Sequence, residues 1–395
     1  MSDEQAGGSG VLGGIATYGE FVKLSAKYRA GESNAGAEEF YDLARRAYEA
    51  SRYDVAERSL RRATHLSPWR VDLHLSLAGV AYQRGRVSAA RASFEQALGI
   101  DPENLEALLG VAVTLHEEGL ESDSIYYYLR YLSERPDDVG AIVSLAGAFQ
   151  STGQNAEAEE LFQRAVDLDP QNPEVHGLYG RALLAMGKDE DGLGQLRAAI
   201  ELGSADSEVY RALGSALNAE GELDEARVHY ERAVEVDPRN AAAHMELASL
   251  LSHAFSADIG VEHAEQAVAI IREEQRSQDE LATALWELGW ARYVAGRWSE
   301  SAEASREALG IQPHLIAVRF NLGLALLRDG KVEEARAEYE TAADDVEDAW
   351  DLKFYGMNDL KAALEADPGL AGGEEILATL RQRYEELKLR RGSRS

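Results

Sequence analysis

Six of the eight prolines in this 395-residue chain share one phase. Pro68, Pro102, Pro136 and Pro170 lie 34 residues apart, Pro238 follows after twice that interval, and Pro313 rejoins the series after seven extra residues. Units of 34 residues with this proline at position 32 begin at Ala37, Val71, Leu105, Val139, Pro173, Ser207, Ala241, Ala282 and Ile316. Such a period constrains the fold more than any other feature. A segment this short cannot bury its own apolar face and must stack on its neighbours.

Within a unit, position 8 is always Ala or Gly, position 20 is always Ala, Ser or Gly, and position 27 is Ala in every unit but one, where it is Tyr131. Positions 4, 7, 8 and 11 form one helical stripe of apolar or small residues, and positions 17, 20, 24 and 27 form a second. Each unit is therefore two helices. Glycine at position 15 in seven units, Gly85 and Gly119 among them, supplies the turn between them.

These features resemble the tetratricopeptide repeat (TPR), seen most fully in "YRALGSALNAEGELDEARVHYERAVEVDP" from Tyr210 to Pro238. The resemblance implies an all-α, right-handed superhelical TPR solenoid of about nine helix-turn-helix repeats with C-terminal capping helices. Residues 1–36 form a flexible, glycine-rich segment with room for a short helix, 37–274 the first seven repeats, 275–281 an insertion and 282–349 repeats eight and nine. Capping helices occupy 350–391, where Ile376, Leu377, Leu380, Tyr384 and Leu387 share one stripe, and 392–395 is a tail. The seventh repeat lacks the turn glycine. With the insertion after it, it is either a hinge or a longer second helix and loop.

Composition narrows the function. No cysteine occurs, which removes disulfides, thiolate metal sites and thiol nucleophiles together. The formal net charge of −30 repels phosphate backbones, so nucleic acid is not expected as a partner, whereas basic segments are attracted. No apolar run approaches the roughly 18–20 residues of a membrane span, and the first residues, "MSDEQAGGSG", lack the basic start of a secretory signal. A cytoplasmic protein is expected. Gly8, Gly10 and Gly13 match G-x-G-x-x-G, yet no strand precedes them and no cofactor is expected. Ile15, Phe21, Val22 and Leu24 suit either a docking helix or packing on the first repeat. His74, His176 and His244 occupy position 4, a packing slot, and the spacing of His253 and His263 matches no metal site, so neither metal nor catalytic residues are expected.

The resemblance places partner contacts at positions 2, 5, 9, 12 and 13 of the first helix, lining a concave groove. Here these include Tyr41, Arg45 and Tyr48 in the first unit, and Leu75, Gly79, Leu109, Val113, Val143 and Gly147 in the middle ones. Trp286, Trp290, Tyr293, Phe320 and Leu324 follow in the last two. Relatives that clamp a carboxylate carry Lys at position 5 and Asn at position 9, which this chain lacks, and of the asparagine ladder at position 6 only Asn321 is present. The expected function is a non-catalytic protein-interaction scaffold or adaptor, holding a peptide or helix of a basic or apolar partner. A subunit of a homo- or hetero-oligomer and a regulatory subunit of an enzyme complex are the alternatives, with oligomeric state open.

Four tyrosines cluster in "SIYYYLRYLS". Register assigns Tyr128 to the core at position 24, and Tyr126 and Tyr127 to the convex face. Tyr131 occupies the slot that is otherwise alanine, with room expected from Gly140. A crevice contact there remains the other reading.

Overall fold

The computed structural model describes residues 34–392. The features expected at Gly8–Gly13 and at Ile15, Phe21, Val22 and Leu24 lie outside the described residues, as do 393–395. The chain divides into two compact units, Met1–Lys188 and Asp189–Ser395.

In the first unit, helices α1 (Asn34–Glu49) and α2 (Tyr53–Leu66), α3 (Val71–Gln83) and α4 (Val87–Ile100), α5 (Leu105–Glu117) and α6 (Glu121–Glu134), and α7 (Val139–Ser151) and α8 (Asn155–Leu168) form packed pairs, followed by α9 (Pro173–Ala185). The second unit opens with α10 (Asp189–Glu201). Its pairs are α11 (Ser207–Glu220) and α12 (Leu223–Val236), α13 (Ala241–Ala254) and α14 (Ala257–Glu273), α15 (Gln278–Val294) and α16 (Trp298–Ile311), and α17 (Ile316–Arg328) and α18 (Val332–Asp345). These are the helix pairs of a TPR solenoid, and no strand occurs among the described residues.

The period sets the helix ends as well as the core. Position 34 of several units is an Asn or Asp that caps the next helix. Asn104 accepts from the Ala107 amide (3.0 Å), Asp138 from Ala141 (3.1 Å) and Asn240 from Ala243 (2.9 Å), each cap contributing about 1 kcal/mol. At the other end of α3, Gly85 turns left-handed (φ +66°), letting the Arg86 amide return to the Ala81 carbonyl at 3.0 Å. In the second unit, a Cβ on Gly214 would stand 2.8 Å from the ring of Tyr230, and one on Gly323 would stand 2.8 Å from that of Tyr339. The small residue at position 8 makes room for the large one at position 24.

A further regularity is polar. Among the described residues, the carbonyl at position 32 is reached by a side chain at seven repeat junctions. His74, His176 and His244 approach Pro68, Pro170 and Pro238 at 2.9, 3.1 and 3.2 Å. Tyr210 donates to Ser204 and Arg319 to Pro313 from the same position 4. Where position 4 is Leu108 or Ile142, the donor is Arg130 or Arg164 at position 26, to Pro102 and Pro136. The histidines set aside as packing residues thus also satisfy half-buried junction carbonyls.

The seven residues 275–281 lengthen two helices. The second helix of repeat seven has 17 residues against 14 in its neighbour α12, and α15 has 17 against 13 in α17. Without a glycine, α13 ends at Ala254 with Phe255 as its cap, and the Ser256 amide returns to the Leu251 carbonyl at 2.8 Å. After α18 come α19 (Ala349–Asp351), a π-helical turn (Leu352–Asn358), α20 (Asp359–Ala366) and α21 (Gly373–Gly392). They bury Ile376, Leu377, Leu380 and Leu387 against repeat nine, with Tyr384 half-buried. This closes the end of the array, where an unstacked repeat would expose its apolar face.

Candidate partner-binding grooves

The first-helix faces of the first unit hold two clefts. One, of about 270 Å³, is lined by Tyr41, Arg45 and Tyr48 of α1, by Leu75 and Gly79 of α3, and by Glu106 of α5. Nothing stands within 4 Å of where a Cβ on Gly79 would be, so that glycine floors open space. Tyr48 is exposed and edge-on to Tyr53 (5.3 Å), and the Arg70 guanidinium lies 5.6 Å from the Tyr41 ring centre. The second cleft, of about 450 Å³, includes Val143 and Gly147 with His116, Gln150 and Arg181. There His116 Nδ1 meets the Glu121 carboxylate at 2.6 Å. Leu109 and Val113, expected beside them, are half-buried against the Tyr128–Leu145 core and line neither cleft.

In the second unit, Trp286, Trp290 and Tyr293 recur along one face of α15 and stay half-buried. Trp290 stacks on Tyr293 (5.5 Å) and donates its indole N–H to His253 Nε2 at 2.9 Å. Phe320 and Leu324, expected on the same open surface, are instead 1% and 2% exposed. A Cβ on Gly356 of the π-helical turn would lie 2.8 Å from the Phe320 ring, so the capping segment covers it.

Two acids absent from the expected set, Glu287 and Asp359, gather here around Tyr293 and His253. Glu287, beside Trp286 and Trp290 on α15, has its carboxyl pKa pushed up by burial, with the Ser249 hydroxyl and His253 opposing. Burial likewise raises Asp359 and Tyr293. A glutamate at position 6, next to Trp286 and one turn short of Trp290, was the available signal. In so acidic a chain it carried little weight.

The tyrosine cluster also separates. Tyr128 is 1% exposed, and burial pushes its hydroxyl up to about 12. Tyr126 is exposed, with Arg130 5.7 Å from its ring centre. Tyr127, expected on the convex surface, is half-buried against two neighbouring cores. Tyr131 is buried, and its hydroxyl donates to Asp138 Oδ2 at 2.7 Å while the other carboxylate oxygen caps α7. Gly140 does not supply its room, since a Cβ there would meet only the Asp138 carboxylate.

Models of the tetratricopeptide repeat match residues 41–104, 80–139 and 317–355, residues 149–216, and residues 214–252, together more than half the chain. The chain belongs to the tetratricopeptide repeat family. TPR arrays serve in general as protein-interaction scaffolds, and that general role extends to this one. A tetratricopeptide repeat protein from Parabacteroides merdae is 15% identical with a TM-score of 0.53, over 65% of this chain and 98% of its own. One chain of the crystal structure of the APC/C hetero-tetramer Cut9–Hcn1 is 14% identical with a TM-score of 0.51, over 87% of this chain and 76% of that one. A thermophilic TPR protein from Thermus thermophilus is 25% identical over 46% of this chain and 99% of its own, with a TM-score of 0.40. No curated protein matches the chain. Among the described residues no helix is long and apolar enough to cross a membrane, and no group of three His, Asp or Glu is placed to hold a metal ion.

Proposed function

We propose that the protein is a non-catalytic cytoplasmic adaptor that holds a peptide or helical segment of a partner protein against the first-helix faces of its repeats. Gly79 carries this reading. A glycine inside a helix costs about 1 kcal/mol relative to alanine, and Gly214 and Gly323 have a packing reason for it where Gly79 has none. What Gly79 preserves is the cleft between Tyr41, Tyr48 and Leu75. Trp290 and Tyr293 offer a second, aromatic contact. Stacked rings of this size are the usual anchors of protein interfaces.

The test is a displayed library of random peptides selected on the wild-type protein. Gly79→Leu fills the cleft with a better helix former, so its melting temperature should hold or rise while peptides selected there bind at least about tenfold more weakly. Trp290→Ala should do the same to peptides selected in the second unit, with helical content unchanged. Equal binding by wild type and both variants would sink the proposal.

A second reading, a subunit of a larger assembly, is favoured by Trp350 and Phe354, which are 58% and 50% exposed and stack at 4.8 Å. A monomeric mass by light scattering counts against a self-assembly through that face.

A further inference from the structure

The second unit carries a ladder of polar contacts across its first helices, and one rung lacks its cation. Glu246, at position 6 of repeat seven, accepts from the Arg211 guanidinium at position 5 of the repeat before and from the Ser215 hydroxyl at position 9. Arg211 is held in turn by Glu208 at 2.8 Å. The charge of Glu246 is thus met from within the fold.

One repeat further on, the register returns with a single change. Glu287 occupies position 6, and the Ser249 hydroxyl at position 9 of the preceding repeat is again within reach of the carboxylate. Position 5 is Met245. Glu287 Oε1 is buried and, among the described residues, meets no hydrogen-bond partner. A buried carboxylate oxygen without a donor is strongly unfavourable, and a guanidinium or ammonium group is what relieves it best.

The surroundings suit that visitor. Trp290, three residues on along the same helix, has its ring fixed by the bond to His253 and by stacking on Tyr293, and indole faces attract cations. Met245 is half-buried at the edge of the core, and its unbranched thioether side chain is the kind that repacks at small cost. Asp359 adds a second acid near Tyr293 and His253, and the chain as a whole carries a net charge of −30.

We propose that this rung is a subsite for an arginine or lysine side chain of a partner protein, which passes over Trp290, displaces Met245 and pairs with Glu287 as Arg211 pairs with Glu246. The inference rests on the adaptor reading and names the chemistry one groove selects.

The probe is the displayed library of random peptides. Peptides whose binding depends on Trp290 should share a basic residue, and replacing that residue by norleucine should weaken binding at least about tenfold. Glu287→Gln should cause a similar loss and make the norleucine exchange nearly silent. Met245→Arg, which supplies the missing guanidinium from within, should raise the melting temperature and abolish the basic preference. Trp290-dependent peptides that lack a basic residue, or that bind Glu287→Gln and Met245→Arg unchanged, overturn the inference and leave the adaptor reading standing. A library that yields no binders overturns both. A wild-type dimer that Glu287→Gln converts to a monomer, seen by light scattering, makes a second copy of the chain the occupant and overturns the inference as well.

Discussion

At the scale of single residues, two helix-interior glycines separate packing from function. Gly79→Ala should stabilise the protein by about 0.5–1 kcal/mol, because the helix gains a better former and the new methyl meets nothing. Gly214→Ala should destabilise it, since its methyl would stand 2.8 Å from Tyr230 and 3.2 Å from the Ala226 carbonyl. Urea denaturation of the two variants checks both signs. The repeat register made Gly214 legible, because a small residue at position 8 recurs in every unit. Gly79 was placed on the groove by resemblance alone, and the empty space above it is visible only in the structure. Phe320 shows the opposite limit. It holds a groove position in the register, but the π-helical turn that covers it lies outside the repeat, where the period says nothing.

At the scale of helices, the paired rings of His244 and His263 join α13 to α14. Their Nδ1 atoms are 3.0 Å apart, and His244 Nε2 approaches the Pro238 carbonyl, so His244 carries its proton on Nε2 and accepts from His263. Burial lowers the pKa of both imidazoles below the ordinary 6.5, and each also sits beside the other. The folded state therefore binds fewer protons than the unfolded one. The pair's contribution is fully present above about pH 6.5 and is lost as the pH falls below it. Repeat six fills the same two slots with Tyr210 and His229, whose rings stack at 6.4 Å, and the Tyr210 hydroxyl keeps the junction bond to Ser204. His244→Tyr should reproduce that arrangement. Its melting temperature should then fall less than that of wild type between pH 7.5 and pH 5.5, and parallel slopes would show that the pair does not titrate as argued. Position 4 was legible as a packing slot. Its second task, satisfying the carbonyl at position 32, was not, because the donor alternates among His, Tyr and Arg and twice moves to position 26.

At the scale of the whole molecule, the period and the small residues at positions 8, 20 and 27 identified the helix pairs because each repeat buries the same stripe. What the period could not reveal is where the repeats differ in charge. A solvent-exposed acid and Glu287 look alike in a chain with 70 acidic residues, and only the missing arginine at Met245 tells them apart. The distinction has a kinetic consequence. A net charge of −30 acts over about a Debye length, roughly 10 Å at 0.1 M salt, and speeds the approach of any basic peptide. The contact at Glu287 is short and desolvated, and screening reaches it far less. Raising the salt from about 0.02 to about 0.5 M should therefore lower the association rate of an arginine-bearing peptide on the order of tenfold, with little change in dissociation. Glu287→Gln, which removes one charge of a large excess, should leave association nearly unchanged and speed dissociation. Stopped-flow measurements on both proteins separate the two effects, and a salt dependence confined to dissociation would place the attraction in a local pair rather than in the field of the chain.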